Sequence, residues 1–238
     1  MNFACNEDLC MFLSKLSYLS EGTQGKCFLD KKNNKVIKLF WSFFEGENSY
    51  INKDEILCFS NLKNDTVIWP EEVIVVNGIV QGYVIDYVNV VDLFKVNPLN
   101  VDLDDFAKAI LKAEEDIKFL TNNNVKMYDV TRNTLFNGKQ LYIIDTLEYD
   151  YGKTTFEKNR EGLDLEIKYF LVDGYFNWFV ERNADLLDLY RRKENSGYEF
   201  LCAFRESLRN YLKEDINTLG TAQALTRKRN IIKYNRDF

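Results

Sequence analysis

The spacing of apolar and polar positions changes several times along this chain, and each change predicts a different kind of element. Residues 1–16 carry Leu9, Phe12, Leu13 and Leu16 at helical spacing, which predicts a short leading helix. From Tyr18 to Leu29 two β-like runs surround a glycine-containing turn at Gly22–Gly25, and Asp30-Lys31-Lys32-Asn33-Asn34 is a polar turn. Lys35-Val36-Ile37-Lys38-Leu39-Phe40 predicts a third strand. Glu47 to Leu62 returns to a helical pattern, with Ile51, Ile56, Leu57 and Phe59 on its apolar face. Val73–Val76 and Ile79–Val88 then flank Asn77-Gly78, a dipeptide that favours a hairpin. Five strands and one helix therefore predict a β-rich lobe over about residues 1–88.

A mainly helical pattern follows Pro98. Asp102-Leu103-Asp104-Asp105 is a good helix N-terminus. Phe106, Ala109, Ile110, Ala113, Ile117 and Leu120 give the helix after it an apolar face. Beyond Tyr151 the pattern is mainly helical, at Gly162–Leu171, Tyr175–Arg182, Ala184–Tyr190, Tyr198–Tyr211 and a weaker last segment. The aromatic residues gathered there (Tyr169, Phe170, Tyr175, Phe176, Trp178, Phe179) read as helical core. The fold class is α+β, a β-rich part followed by a mainly helical one, with no internal repeat and no low-complexity linker.

Between these parts lies the stretch that carries candidate chemistry. Met127-Tyr128-Asp129 ends an apolar lead-in, Asn133 follows, and a hairpin turning at Asn137-Gly138 leads to Tyr142-Ile143-Ile144-Asp145. Three oxygen-bearing side chains at strand ends suit the holding of a divalent metal and a polyphosphate beside an attacking hydroxyl. Lys38 sits in the middle of an apolar strand, where an ammonium needs an anionic partner. Glu55, at the inner edge of its helix face, is the natural one.

Composition narrows the chemistry further. The 238 residues contain no histidine, which excludes Ser-His-Asp and Cys-His catalysis and histidine zinc sites. A general base must then be a carboxylate or, failing that, a lysine, cysteine or tyrosine. The formal net charge of −6 argues against nucleic acid as a partner. The one basic cluster, Arg227-Lys228-Arg229 with Lys233 and Arg236, reads as a solvated helix end or tail. No apolar run approaches the roughly 18 residues of a membrane span, and Met1–Leu13 lacks signal-peptide features. Five scattered cysteines (Cys5, Cys10, Cys27, Cys58, Cys202) with no CxxC pair fit reduced thiols and a cytoplasmic location.

In this order the motifs resemble the protein kinase-like superfamily, which includes eukaryotic-type protein kinases and aminoglycoside and choline phosphotransferases. The resemblance covers roughly residues 16–150. It implies a two-lobed kinase-like domain over 1–238, with a hinge at about 86–97 and a helical lobe at about 98–238. Leu19-Ser20-Glu21-Gly22-Thr23-Gln24-Gly25-Lys26-Cys27 looks like the glycine-rich loop. By that match Gly22, Thr23, Gln24 and Gly25 would cover the ATP phosphates, and Cys27 would roof the adenine. Lys38 would contact the α- and β-phosphates and pair with Glu55. Ile85 stands at the gatekeeper position, Asp86 and Val88 would bond adenine through their backbone, and Asp92 would lie near the ribose. Met127-Tyr128-Asp129 resembles the His-Arg-Asp triplet, which makes Asp129 the catalytic base. Asn133 and Asp145 would be the magnesium ligands.

The same comparison shows departures. Asp129 to Asn133 is four positions where the family has five. Thr131 replaces the usual lysine, leaving Arg132 to supply positive charge. Thr146-Leu147 replaces Phe-Gly after Asp145, there is no Ala-Pro-Glu, and Glu148–Leu163 is short for an activation loop. The resemblance implies an ATP- and magnesium-dependent phosphotransferase acting on a hydroxyl, foremost a protein Ser/Thr kinase. A small-molecule kinase and a nucleotide-binding pseudokinase or scaffold are the alternatives.

Overall fold

The structure, a computed structural model, describes residues 1–49 and 51–234, with residues 230–234 described through their backbone alone. Arg236 and the Lys233 side chain of the predicted basic cluster lie outside the described residues. The chain divides into two compact units, Met1–Asn89 and Val90–Phe238.

The first unit runs β1 (Asn2–Phe3), α1 (Asn6–Leu13), β2 (Ser17–Glu21), β3 (Gly25–Asp30), β4 (Lys35–Phe40), α2 (Trp41–Glu45), α3 (Lys53–Leu57), β5 (Glu72–Val76) and β6 (Ile79–Asp86). These strands form one sheet of order β1-β5-β6-β4-β3-β2. It has six strands rather than the five expected. The extra one, β1, is two residues long and parallel to β5, too short to leave a period in the sequence. It is held because the Met1 ammonium donates to the Val73 carbonyl at 2.7 Å and the Val75 amide donates to the Met1 carbonyl at 2.9 Å.

Alternation along β4 sorts its side chains onto two faces. Ile37 and Leu39 join Ile74, Val76 and Val84 beneath Leu9 of α1, which explains why the leading helix is there. Val36, Lys38 and Phe40 take the other face, opposite Leu29, Cys27 and Gly25 on β3. On the β6 side, Val36 faces Ile85 and Lys38 faces Tyr83.

The expected helix over Glu47–Leu62 is reduced to the single turn of α3; α1 is the leading helix expected within residues 1–16, and the short α2 was not expected. Asn52 is extended (φ −94°, ψ 167°) and starts the helix through a capping box with Glu55. Downstream, the chain leaves the helix through turns in which the amides of Ser60 and Leu62 donate to the carbonyls of Leu57 and Phe59. The Trp69 indole closes the segment by donating to the Leu62 carbonyl at 2.9 Å.

The second unit contains β7 (Val91–Asp92), α4 (Leu103–Asn122), β8 (Val125–Lys126), β9 (Thr134–Phe136), β10 (Leu141–Ile143), β11 (Asp150–Tyr151), α5 (Phe156–Val172), α6 (Asn177–Glu181), α7 (Ala184–Arg191), α8 (Gly197–Leu212) and α9 (Leu219–Tyr234). Asp102 caps α4 as expected, accepting from the amides of Asp104 and Asp105 at 2.9 Å. Small sheets β10-β9-β7 and β11-β8 accompany the helices. Aromatic residues fill the helical core: Phe106 packs on Phe136 and Phe170, and Phe204 on Phe176 and Phe179.

Helix α5 begins at Phe156, well before the Gly162 expected from its apolar period. Its first turns hide polar residues that blur the period, namely Asn159 and Asp164, and further on Glu166 and Lys168, all buried. The Arg160 guanidinium lies 3.5 Å from Glu114 of α4 and 3.1 Å from Asp164, whose carboxylate accepts the Gly197 amide of α8 at 2.7 Å. Burial pushes Asp164 up to about 7 despite that guanidinium.

Leu9 is fully buried as the only wholly enclosed residue of α1, so Leu9→Ala should cost about 2–5 kcal/mol in urea unfolding. Met11→Ala on the exposed side of the same helix should stay within about 0.5 kcal/mol of the parent. Equal effects would show that α1 does not anchor the sheet.

Candidate functional site

In the second unit the candidate site is a turn followed by a hairpin. After β8 the chain leaves the sheet at Met127 and turns between Val130 and Asn133, whose amide donates to the Val130 carbonyl at 3.1 Å. Asp129 (φ 48°) and Arg132 (φ 68°) are both left-handed. Aspartate tolerates that conformation, whereas for arginine it costs roughly 1–2 kcal/mol. The Asn133 carboxamide nitrogen donates back to the Asp129 carbonyl at 2.7 Å. The four-position spacing is thus closed by a tight turn that brings Asn133 onto Asp129.

The β9–β10 hairpin places the third member. Ile143 pairs with Thr134, and beyond that pair the Ile144 amide donates to the Asn133 carbonyl at 3.0 Å. Asn133 and Asp145 therefore leave the open end of the same hairpin side by side. Asp145 is also left-handed, at φ 63°. The phenol of Tyr149 is 5 % exposed; burial pushes its pKa up, and the Asp129 and Asp145 carboxylates push it further. Both carboxylates thus lie close to one buried ring. Among the described residues no three His, Cys, Asp or Glu side chains form a metal cage.

Helix α5 is the floor of this turn. The Asn159 carboxamide accepts from the Met127 amide at 3.0 Å and donates to the Val125 carbonyl at 2.8 Å and the Thr121 hydroxyl at 2.9 Å. At Gly162 an added Cβ would lie 3.0 Å from the Val130 side chain and 3.3 Å from the Thr131 hydroxyl, so any larger residue would push the loop away by a few tenths of an ångström. The Glu166 carboxylate accepts the Arg132 amide through Oε1, while the Thr134 hydroxyl donates to the Val130 carbonyl at 3.4 Å. Burial, with the Asp92 carboxylate adding to it, pushes Glu166 up to about 7. Asp92, expected near a ribose, caps the next turn by accepting from the Phe94 amide at 3.0 Å.

In the first unit Lys38 is 8 % exposed and faces the Tyr83 ring, 5.6 Å from its centroid. Its ammonium donates to the Gln24 carboxamide oxygen at 2.7 Å. The expected pair with Glu55 is not formed. Glu55 is exposed and turned to its own helix start, where its carboxylate accepts from the Asn52 amide and carboxamide. In so short a helix, capping geometry decides where the carboxylate goes.

The glycine-rich turn also differs in detail from an open cradle of amides. The Gly22 amide is used within the turn, donating to the Gly25 carbonyl at 3.0 Å. The Trp41 indole and backbone amide donate to the carbonyls of Gly22 and Gln24, at 3.0 and 3.1 Å. Gly25 is needed for packing, since an added Cβ would lie 1.8 Å from the Leu39 carbonyl oxygen. Thr23 is exposed and Cys27 half-buried opposite Lys38. At the end of β6, Ile85 faces Val36, the Asp86 side chain is taken by Lys35 at 2.7 Å, and Val88 is half-buried.

Asn159, Glu166 and Tyr149 were not among the residues singled out from sequence. A signal for the first two exists: they interrupt the apolar stripe Asn159, Leu163, Glu166, Phe170 of α5. Tyr149 carries no such mark.

No protein-family model matches this chain, and no curated protein sequence matches it. Solved structures do. The crystal structure of the Mycobacterium tuberculosis PknI kinase domain is similar over 80% of this chain and 94% of that one, with a TM-score of 0.50 and 12% identity. A double mutant of the same domain gives 0.50 and 11% over 80% and 93%. The chain has an α+β, protein kinase-like fold. At this identity the likeness speaks for the fold alone.

Glu166 predicts a pH effect with a defined sign. Its folded-state pKa of about 7 exceeds the ordinary glutamate value of about 4.3, so its contribution is complete below about pH 4 and is lost as pH rises through about 7. Thermal melts between pH 5 and 8 should show a smaller fall for Glu166→Gln than for the parent. Parallel curves would contradict the placement of this carboxyl.

Proposed function

We propose that this chain is an ATP- and magnesium-dependent phosphotransferase that moves the γ-phosphoryl group to a hydroxyl, foremost on a protein Ser/Thr side chain. The observation that carries the reading is the grouping of Asp129, Asn133 and Asp145 by one turn and one hairpin end. Phosphoryl transfer asks for positioned charge more than covalent chemistry, and this grouping supplies positioned oxygen atoms.

The donor set suits magnesium, which takes one or two protein oxygens and keeps several waters. Asn133 spends its amide nitrogen on the Asp129 carbonyl, which leaves Oδ1 to act as a ligand beside the Asp145 carboxylate. The ion would supply charge neutralisation for the polyphosphate. Asp129, exposed on the turn, would orient the acceptor hydroxyl and accept its proton. Arg132 would add positive charge nearby. Lys38 would bind phosphate oxygens, with Gln24 giving up the ammonium. Gly22, Thr23, Gly25 and Cys27 would border the nucleotide, and Ile85, Asp86, Val88 and Asp92 would border its base and sugar. Glu55 has no part in this arrangement as it stands. An open cavity of about 280 Å³ beside Asp129, bordered by Tyr128, Thr131 and Leu165, gives room for one acceptor side chain or a small alcohol.

A second reading, a nucleotide-binding pseudokinase, is favoured by the Gln24 contact on Lys38 and by the absence of the Glu55 pair. Among the described residues no helix is long and apolar enough to cross a membrane, and no disulfide joins any of the five cysteines. The cytoplasmic location is proposed on the scattered cysteine pattern of the sequence.

Millimolar Mg·ATP should raise the melting temperature, as any ligand of the folded state must. Asp145→Ala should remove the magnesium dependence of that shift, and Lys38→Ala should weaken it. Asp129→Asn and Glu55→Ala should keep it. The absence of any shift in the parent protein would end both readings, and a large loss in Glu55→Ala would show that the Lys38 pair forms in solution.

A further inference from the structure

The turn between Asp129 and Asn133 is one residue shorter than the arrangement it resembles, and something must hold it in a conformation its residues do not favour. Arg132 occupies a left-handed position that L side chains other than Asn and Asp rarely adopt. The group that meets its amide is the Glu166 carboxylate, fully buried on α5.

Several features make Glu166 more than filler. It is a glutamate at 0 % exposure, a type of residue that cores exclude unless it is bonded. Its Oε1 is committed to the turn, just ahead of Thr134, which opens the hairpin that sets Asn133 beside Asp145 and whose hydroxyl donates to the Val130 carbonyl at 3.4 Å. It lies on the same stripe of α5 as Asn159, which fixes Met127 at the other end of the loop, with Gly162 between them. Asn159 and Glu166 therefore hold the entry and the exit of the segment that displays Asp129.

We propose that Glu166 is a positioning residue, whose carboxyl oxygen holds the shortened turn so that Asn133 and Asp129 keep their places. The proposal rests on the phosphotransferase reading for its kinetic consequences, but its structural content can be read separately. Without the acceptor oxygen, the Arg132 amide would have to turn toward water or the turn would relax. Either outcome moves the Asn133 side chain, the ligand nearest the turn, and the Asp129 carbonyl to which it is tied. Displacements of about 1 Å at such a centre cost on the order of 100-fold in rate. Nucleotide affinity supplied by the first unit should change little.

The test uses the full chain, with Mg·ATP as the probe and release of labelled phosphate to water as the basal readout. Glu166→Ala should lower kcat by about tenfold or more and raise the magnesium concentration at half-maximal rate, with the KM for ATP within about twofold. Glu166→Gln, which keeps an acceptor oxygen in the same place, should recover most of the rate. Glu166→Asp keeps the charge but is one methylene too short, and should behave like the alanine variant.

A second readout does not depend on activity. Limited trypsin digestion cleaves after Arg132 only if the turn opens. That cleavage should accelerate in the Ala and Asp variants and not in the Gln variant. Parent-like kcat, magnesium dependence and cleavage in Glu166→Asp would overturn the proposal, as would a Gln variant no better than Ala. If Glu166→Ala does not fold, the Gln and Asp pair decides. If the parent shows neither Mg·ATP binding nor turnover, the functional reading fails while the trypsin comparison still judges the positioning role.

Discussion

Two buried polar side chains on one helix, Asn159 and Glu166, hold the loop on which the candidate chemistry depends. Each would be costly in an apolar core without partners, by about 1–3 kcal/mol for an unpaired polar group. Each finds its partners in the backbone of the segment from Val125 to Arg132. The exchange works in both directions. The loop satisfies the helix, and the helix fixes a chain that carries a left-handed Arg132, whose conformation costs roughly 1–2 kcal/mol. Leaving the Arg132 amide without its acceptor would cost about 1–3 kcal/mol, which is the size of that strain. Gly162 makes the close approach sterically possible.

From this one constraint the rest of the site follows. A turn that ends at Asn133 sends its side chain back to the Asp129 carbonyl and starts β9 at once. The register of β9 with β10 then leaves Asp145 next to Asn133. The loop is one residue short of the spacing it resembles, yet it gathers all three residues. The tight turn takes up the missing length, and three non-glycine residues in left-handed backbone (Asp129, Arg132, Asp145) record the local strain.

Much of this was legible in the sequence because it rests on local signals. Alternation fixed β4 from Lys35 to Phe40, and Asp102 with Asp104 and Asp105 marked the start of α4. The order of Lys38, Asp129, Asn133 and Asp145 pointed to the kinase-like fold. What sequence reasoning missed involves partners set by tertiary packing. Glu55 lies at a plausible distance along the chain from Lys38, but the single-turn helix α3 consumes its carboxylate in its own cap, and Gln24 meets the lysine instead. The two-residue β1 exists because Met1 is anchored to β5, which no window of residues can reveal. Asn159 and Glu166 blurred the period of α5 for the reason that makes them useful, since polar groups on a buried face break an apolar stripe.

The Gln24 contact and the Glu55 cap leave the first unit short of the arrangement its motifs suggest, while the second unit brings Asp129, Asn133 and Asp145 onto one turn and one hairpin end. The decisive question is therefore whether a phosphoryl group moves, and transfer of label from γ-labelled ATP in the presence of cell lysate answers it directly. The parent protein should label a protein or a small alcohol, and Asp129→Asn should transfer at least about 100-fold more slowly. Equal labelling by the two, or none by the parent at saturating Mg·ATP, would contradict the phosphotransferase account.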